Sequence, residues 1–280
     1  MTLVMITGGI DISVGSVTAL VCMSAAYAME NKGMSAVAAV VISLLIGTLF
    51  GIVQGYLVTY LEIQPFIVTL AGMFFGRGLT AVISTDMIAI QNKTFLKWAN
   101  YRINLPFGTY NRRGIFIPAY IYPTVIIALA VVILITIMLK FTKFGRSLYA
   151  IGGNQQSAVM MGLNVKRTKM KAYVLDGFLA GLGGFLFCLN SCAGFVEQAK
   201  GLEMDAIASA VIGGTLLSGG VGTVIGTLFG VLINGTISSL ITTQGTLSSW
   251  WVRITLSALL CFFIVLQAVI AAVKRKKKKK

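Results

Sequence analysis

No histidine occurs anywhere in this 280-residue chain. The four cysteines, Cys22, Cys188, Cys192 and Cys261, stand in apolar stretches without ligand spacing to other donors. No metal site is expected from such a pattern, and the cysteines read as core packers. Acids are scarce as well: eight Asp and Glu against 23 Lys and Arg. Charged residues make up 11% of the chain, where soluble domains carry roughly 25%. A G-x-x-x-x-G-K-[ST] phosphate loop is missing, so any energy for work must come from elsewhere. A removable signal peptide is not expected, because Met1 leads almost directly into Gly8-Gly9 without a charged n-region or a cleavage site.

What the chain does have is apolar length. It is 57% hydrophobic with a mean hydropathy of +0.89, the signature of an integral protein of the lipid bilayer. The net charge of +15 is concentrated in the tail Lys274 to Lys280 and in the span Lys140 to Lys171. Lys and Arg gather in cytoplasmic loops, which accounts for the charge without nucleic acid. Uncharged runs cover Ile12 to Met29, Gly33 to Leu61, Gly114 to Leu139, Gly177 to Val196, Ala206 to Val252 and Ile254 to Val273, with Ile63 to Ser84 a further span interrupted by Arg77. A membrane-crossing helix needs about 20 residues at 1.5 Å each. The run Ala206 to Val252 would be about 70 Å long as one helix, so it must double back, and Gly219-Gly220 is the natural place. The expected fold is all-α: a single polytopic helical bundle over 1–280 with about eight membrane segments and glycine-broken helices.

Charge sets a topology. The segment Lys143 to Lys171 carries Lys143, Arg146, Lys166, Arg167, Lys169 and Lys171 with no acid, and the tail 274–280 is wholly basic. Both are expected in the cytoplasm. Counting crossings between them places 85–117 outside as the one long external loop. That loop is itself basic, with Lys93, Lys97, Arg102, Arg112 and Arg113, and reads either as a solvated loop or as a surface for an acidic partner.

Two short stretches repeat each other as G-G-x-x-x-S-x-G: Gly8, Gly9, Asp11, Ser13 and Gly15 near the start, and Gly213, Gly214, Ser218, Gly219 and Gly220 near the end. Glycine pairs cost helix stability and are kept for bends or close backbone approach. Bent backbone at membrane depth is tolerated only where it is buried in protein or lines a cavity. A pathway for something polar is therefore expected at these bends, and the crossing count turns both toward the cytoplasm.

Other polar residues have two readings each. Asp11 and Ser13 can cap the helix Val14 to Met29 or contact a polar solute. Arg77 can snorkel, fix a partner helix or hydrogen-bond a hydroxylated substrate in the pathway, and Asn190 is a second possible pathway residue. Gln54, Asn234 and Gln244 fit interhelical hydrogen bonds, while Trp250 and Trp251 read as interfacial anchors. Between two spans, Asn154 can cap a short helix with Ala158 and Met161 on one side, and Gly162 suits its left-handed stop. Such a helix in the cytoplasm is a docking knob, or else a surface loop.

The ordered motifs G-G-I-D-I-S-V-G, Gln64-Pro65-Phe66-Ile67-Val68-Thr69-Leu70, G-G-N-x-x-S-A-x-x-x-G-L from Gly152, and Leu202-Glu203-Met204-Asp205-Ala206-Ile207-Ala208 resemble the permease subunits of bacterial ABC importers for monosaccharides, the ribose and galactofuranose type. Gly213 to Gly230 and Gly245-Thr246-Leu247-Ser248-Ser249-Trp250-Trp251 look most like the galactofuranose branch. The resemblance implies a non-enzymatic transport subunit of the bacterial cytoplasmic membrane, with its C-terminus inside. It implies a second permease chain, copy or paralogue, an extracytoplasmic sugar-binding protein, and a cytoplasmic ATPase. That ATPase would hold ATP and Mg, with no cofactor on this chain. Within 141–170 it implies a coupling loop that fits a groove of the ATPase, carried by Gly152, Gly153, Asn154, Ala158 and Gly162.

Two departures from the family pattern stand out. Members usually show two more hydrophobic segments before the first glycine motif, about ten in all, so the start is expected to be truncated or misassigned. Asp176 stands where a small or hydroxyl residue is usual, and is costly there unless it reaches the interface or is neutralised by Lys169, Lys171 or a partner chain, with a place in the pathway as the other reading. An ion-coupled carrier and a non-transporting scaffold are the rival readings. The first wants intramembrane acids or histidines, for which only Asp11 and Asp176 come close.

Overall fold

The computed structural model describes residues 1–110, 116–244 and 249–278. Apolar runs become helices and polar punctuation ends them. A short helix α1 (Thr2–Ile6) precedes the first glycine turn, after which come α2 (Val14–Glu30), α3 (Ala36–Thr59) and α4 (Pro65–Ile83). The segment between α4 and the next long helix holds β1 (Ile88–Ala89), α5 (Lys93–Ala99), β2 (Ile103–Tyr110) and β3 (Phe116–Ile121). Then follow α6 (Pro123–Phe141), α7 (Lys143–Gly153), α8 (Gln155–Met160), α9 (Val165–Ser191), β4 (Ala193–Gly194), α10 (Leu202–Ile212), α11 (Val224–Gln244) and α12 (Ser249–Lys278).

Among the described residues, five helices are long and apolar enough to cross a membrane: α3, α4, α6, α9 and the stretch Val224–Thr243 of α11. Val14–Glu30 and Trp251–Gln267 are shorter apolar helices. At 11 residues, α10 reaches only about 16 Å. The eight expected segments are thus seven apolar helices and one half-length helix. This is a polytopic all-α membrane protein, and its two small sheets are both two-stranded.

The centre is α2, buried around most of its circumference from Gly15 to Met29, as befits a helix that is apolar on every side. Its neighbours α3 and α9 form the most extensive helix pair, and the reason is a stripe of small residues. Ser43, Gly47, Gly51 and Gly55 recur every fourth residue of α3; the first three meet Gly177 and Gly181 of α9, and Gly55 meets Met170 and Tyr173. A Cβ on Gly47 would stand 2.3 Å from the Gly177 carbonyl oxygen, and one on Gly51 2.4 Å from that of Tyr173. With no hydrophobic drive between helices in lipid, such backbone contact is the main source of association.

Several expected boundaries move. The span expected from Gly114 begins at Pro123, because β3 occupies Phe116–Ile121 as the partner of β2 and proline suits the first helical position. The span expected from Gly177 begins at Val165, where the Asn164 side chain accepts from the Arg167 N–H. Lys166, Arg167, Lys169 and Lys171 therefore ride on the first turns of α9. The segment 85–117 has structure of its own. β1 pairs with β4, Asn92 caps α5, Phe95 is wholly buried, and Arg102 lies 4.3 Å from the Tyr120 ring centre. Arg112 and Arg113, like Gly245 to Ser248 of the galactofuranose-like stretch, lie outside the described residues.

Candidate functional site

The two glycine stretches are neighbours. Each follows a short helix and ends it in the same way: the Gly8 N–H bonds the Met5 carbonyl and the Gly9 N–H that of Val4, while the Gly214 N–H bonds Val211 and the Thr215 N–H bonds Ala210. This is a helix stop built on a left-handed residue, Gly8 with φ +81° in one case and Gly214 with φ +90° in the other. The backbone therefore matches Gly8 to Gly214, one residue off the sequence repeat, which matches Gly8 to Gly213. After the stop the copies diverge. The first reaches α2 through the short non-helical stretch 9–13, whereas the second runs through a turn with Gly219 and Gly220 both left-handed before α11.

The turns touch. The Gly220 N–H donates to the Ile6 carbonyl at 2.8 Å, and a Cβ on Gly219 would stand 2.7 Å from the Gly8 nitrogen. The end of α7 completes the junction. A Cβ on Gly152 would lie 1.8 Å from the Ile6 oxygen and 2.5 Å from the Gly220 nitrogen, and one on Gly220 would lie 2.9 Å from the Gly153 Cα. The Tyr149 hydroxyl donates to the Gly222 carbonyl at 2.7 Å, and burial pushes this phenol up from its ordinary value. Three glycine-bearing segments far apart in sequence thus share one contact point.

Beyond that point hangs α8. The Asn154 side chain accepts from the Ser157 N–H at 2.9 Å, Gly162 stops the helix with φ +75°, and Lys169 Nζ donates to Gln155 Oε1 at 2.7 Å. Ala158 is wholly buried, packed with Ile151 and Val165. Met161 is not on that buried side: α8 ends at Met160, and Met161 is exposed. Val159, Met160 and Met161 together present an apolar outer edge, with Met160 87% exposed. Sequence reasoning picked out the residues that hold this knob and missed Val159 and Met160, which form its surface.

The other motifs fasten the same region. Asp11 does not cap α2 in the expected manner, nor does the Ser13 side chain. The Ser13 N–H and hydroxyl donate to Asp11 Oδ1 at 2.7 and 2.6 Å, and the Ser13 hydroxyl accepts from Gln54 Nε2 at 2.8 Å. All three side chains are buried, so they tie the first glycine turn to α3. The Thr69 hydroxyl reaches the Ile10 carbonyl at 3.2 Å. Gly15 gives room to Glu203, whose Oε2 a Cβ there would meet at 2.0 Å. Asp176 is paired by the Met1 ammonium, not by Lys169 or Lys171.

Two residues fall elsewhere. Arg77 Nη1 donates to the carbonyls of Val196 and Gln198 at 2.7 and 2.5 Å, holding the segment after β4 in place. Asn190 is exposed near the end of α9, beside a cavity of about 120 Å³ that it shares with Trp98 and Tyr122.

Comparison with known proteins identifies a family. The family described as the permease component of the branched-chain amino acid transport system matches residues 1–264. An inner membrane ABC transporter permease protein, YjfF of Escherichia coli K12, is 42% identical over 95% of this chain and 78% of its own length. The fructose import permease protein FruG of Bifidobacterium longum is 36% identical over 98% of this chain and 78% of its own. The ribose import permease protein RbsC of Bacillus subtilis is 39% identical over 85% and 70%. No solved structure matches the chain.

Proposed function

The chain belongs to this family of transport-system permease components, and we propose that it is the membrane-spanning subunit of an ATP-driven monosaccharide importer, working by alternating access. Permeases of the family are not themselves enzymes. The observation that carries the reading is the packing of Gly152 against both Ile6 and Gly220, which sets the α7–α8 knob directly on the two broken helices. A partner that pushes or pulls α8 moves the glycine turns without an intervening lever.

In this reading α8 and the basic turns beside it face the cytoplasm, the C-terminus lies on the same side, and the apolar edge of α8 enters a groove on an ATPase. That partner holds ATP and Mg, and this chain carries no cofactor. A second permease, copy or paralogue, completes the pathway, and an extracytoplasmic binding protein delivers the sugar. Relatives whose names state a cargo carry ribose or fructose, which favours a sugar over the amino acid of the family description. The stretch Gly213 to Gly230 favours galactofuranose or a ribose-like sugar within that class.

The test is uptake of labelled ribose, fructose and galactofuranose into proteoliposomes holding the chain with its ATPase and binding protein. Uptake is expected to require enclosed ATP and to survive ionophores. Uptake sustained by an ion gradient without ATP would overturn the proposal in favour of an ion-coupled carrier. Failure of any ATPase to co-purify would favour the scaffold.

A further inference from the structure

Resting on the sugar-permease reading, we propose that the cleft between α10, α11 and α12 is a binding station for the hydroxylated cargo, with Asn234 as its buried contact. The argument begins with one face of α11. Gly226, Gly230, Asn234, Ser238 and Thr242 recur every fourth residue and so lie along a single stripe. At its start the stripe is glycine and the backbones touch: a Cβ on Gly230 would lie 1.9 Å from the Ser209 carbonyl oxygen, and one on Gly213 2.3 Å from Gly226. From Asn234 onward the stripe is polar and the helices part. The gap is a cavity of about 790 Å³ lined by Ser209, Asn234, Ser238 and Ser257, with Asp205 and Arg253 also on its wall. That volume lies in the range of about 300–1,000 Å³ typical of small-molecule sites.

Asn234 points to a ligand. Its residue is 8% exposed, its Nδ2 donates to the Ser209 hydroxyl at 2.8 Å, and its Oδ1 has no partner among the described residues. An unpaired buried acceptor costs about 1–3 kcal/mol and is retained where something else supplies the donor. The cleft also carries the hydroxyls of Ser209, Ser238, Thr242 and Ser257 and the charged side chains of Lys200, Asp205 and Arg253, a mixture of donors and acceptors that suits a sugar, since each sugar hydroxyl both donates and accepts.

Uptake of labelled ribose, fructose, galactofuranose and leucine into proteoliposomes holding the complete importer provides the test. Asn234→Leu is expected to lower sugar uptake by about tenfold, the worth of about 1.4 kcal/mol, with ATPase association unchanged. Because that variant also loses the bond to Ser209, a second one is modified after folding. Ser238→Cys in a Cys192→Ala, Cys261→Ala background, treated with a bulky water-soluble maleimide, is expected to lose uptake by at least about tenfold. Wild-type sugar uptake that both changes leave intact overturns the station alone. Modification blocked in the sugar-free complex also overturns it, since protein then fills the cleft. Uptake of leucine and of no sugar overturns both this station and the sugar-permease reading.

Discussion

The amide of Gly220 donates to the carbonyl of Ile6 across the molecule at 2.8 Å, joining two broken helices at the point where each is bent. Both groups lie at helix interruptions, where backbone donors and acceptors lack intrahelical partners, so the break in one helix satisfies the break in the other. Gly152 sits against this bond closely enough that a side chain there must displace it.

Gly152→Ala is accordingly expected to destabilise the purified protein by about 1–3 kcal/mol, the usual cost of overpacking a filled site. The adjacent Gly153→Ala is the control, because a Cβ on Gly153 meets nothing within 4 Å. Its effect is expected to stay within about 1 kcal/mol, the helix-propensity difference between the two residues. Thermal unfolding of the two variants side by side checks the contrast, and equal losses would place the close contact elsewhere.

Met160→Glu separates docking from folding. At 87% exposure its side chain supports nothing within the chain, so stability is expected to change by less than about 0.5 kcal/mol. Placing a charge on the apolar edge of α8 is expected to abolish co-purification with the ATPase. Ala158→Glu, which buries a charge against Ile151 and Val165, is expected to lose both stability and association.

Tyr149→Phe removes the donor to Gly222 and is expected to cost about 1 kcal/mol. Burial raises the phenol in the folded state, so folding favours the protonated form. The contribution is fully present below the ordinary tyrosine value near 10 and is lost as pH rises through the higher folded value. The stability difference between wild type and variant should be flat from about pH 6 to 9 and shrink above that. A difference that grows with pH would contradict the assignment.

How much of this was readable beforehand differs between elements. The spans were, because a bilayer demands long apolar runs and little else produces them. Their ends were less so: α9 starts at Val165 because Asn164 caps it, and hydropathy is blind to a capping bond. The knob was half legible, since Asn154 and Gly162 announce its ends but the exposure of Met160 depends on what packs beneath. The junction was hidden, as Ile6, Gly152 and Gly220 are far apart in sequence and no local pattern pairs them. The repeat even misled by one residue, because helix stops are set by backbone angles at Gly8 and Gly214 and not by matching letters. The small-residue stripe from Ser43 to Gly55 was open to view at four-residue spacing and went unread, as did Gly230 before Asn234.

Arg77 supplies a last prediction. Two carbonyls, from Val196 and Gln198, converge on one guanidinium nitrogen, and hydrogen bonds from a charged donor are worth about 1.5–3 kcal/mol. Arg77→Leu removes both and leaves the acceptors unmatched beside the turn that leads into α10. The segment from Phe195 to Gly201 is then expected to open locally while the rest of the bundle holds, because the α3–α9 glycine contact does not involve it. Hydrogen exchange should show faster exchange confined to this segment and the start of α10. Faster exchange spread through α2 and α9 would mean instead that Arg77 supports the whole bundle, and an unchanged pattern would mean that the two hydrogen bonds contribute nothing to its order.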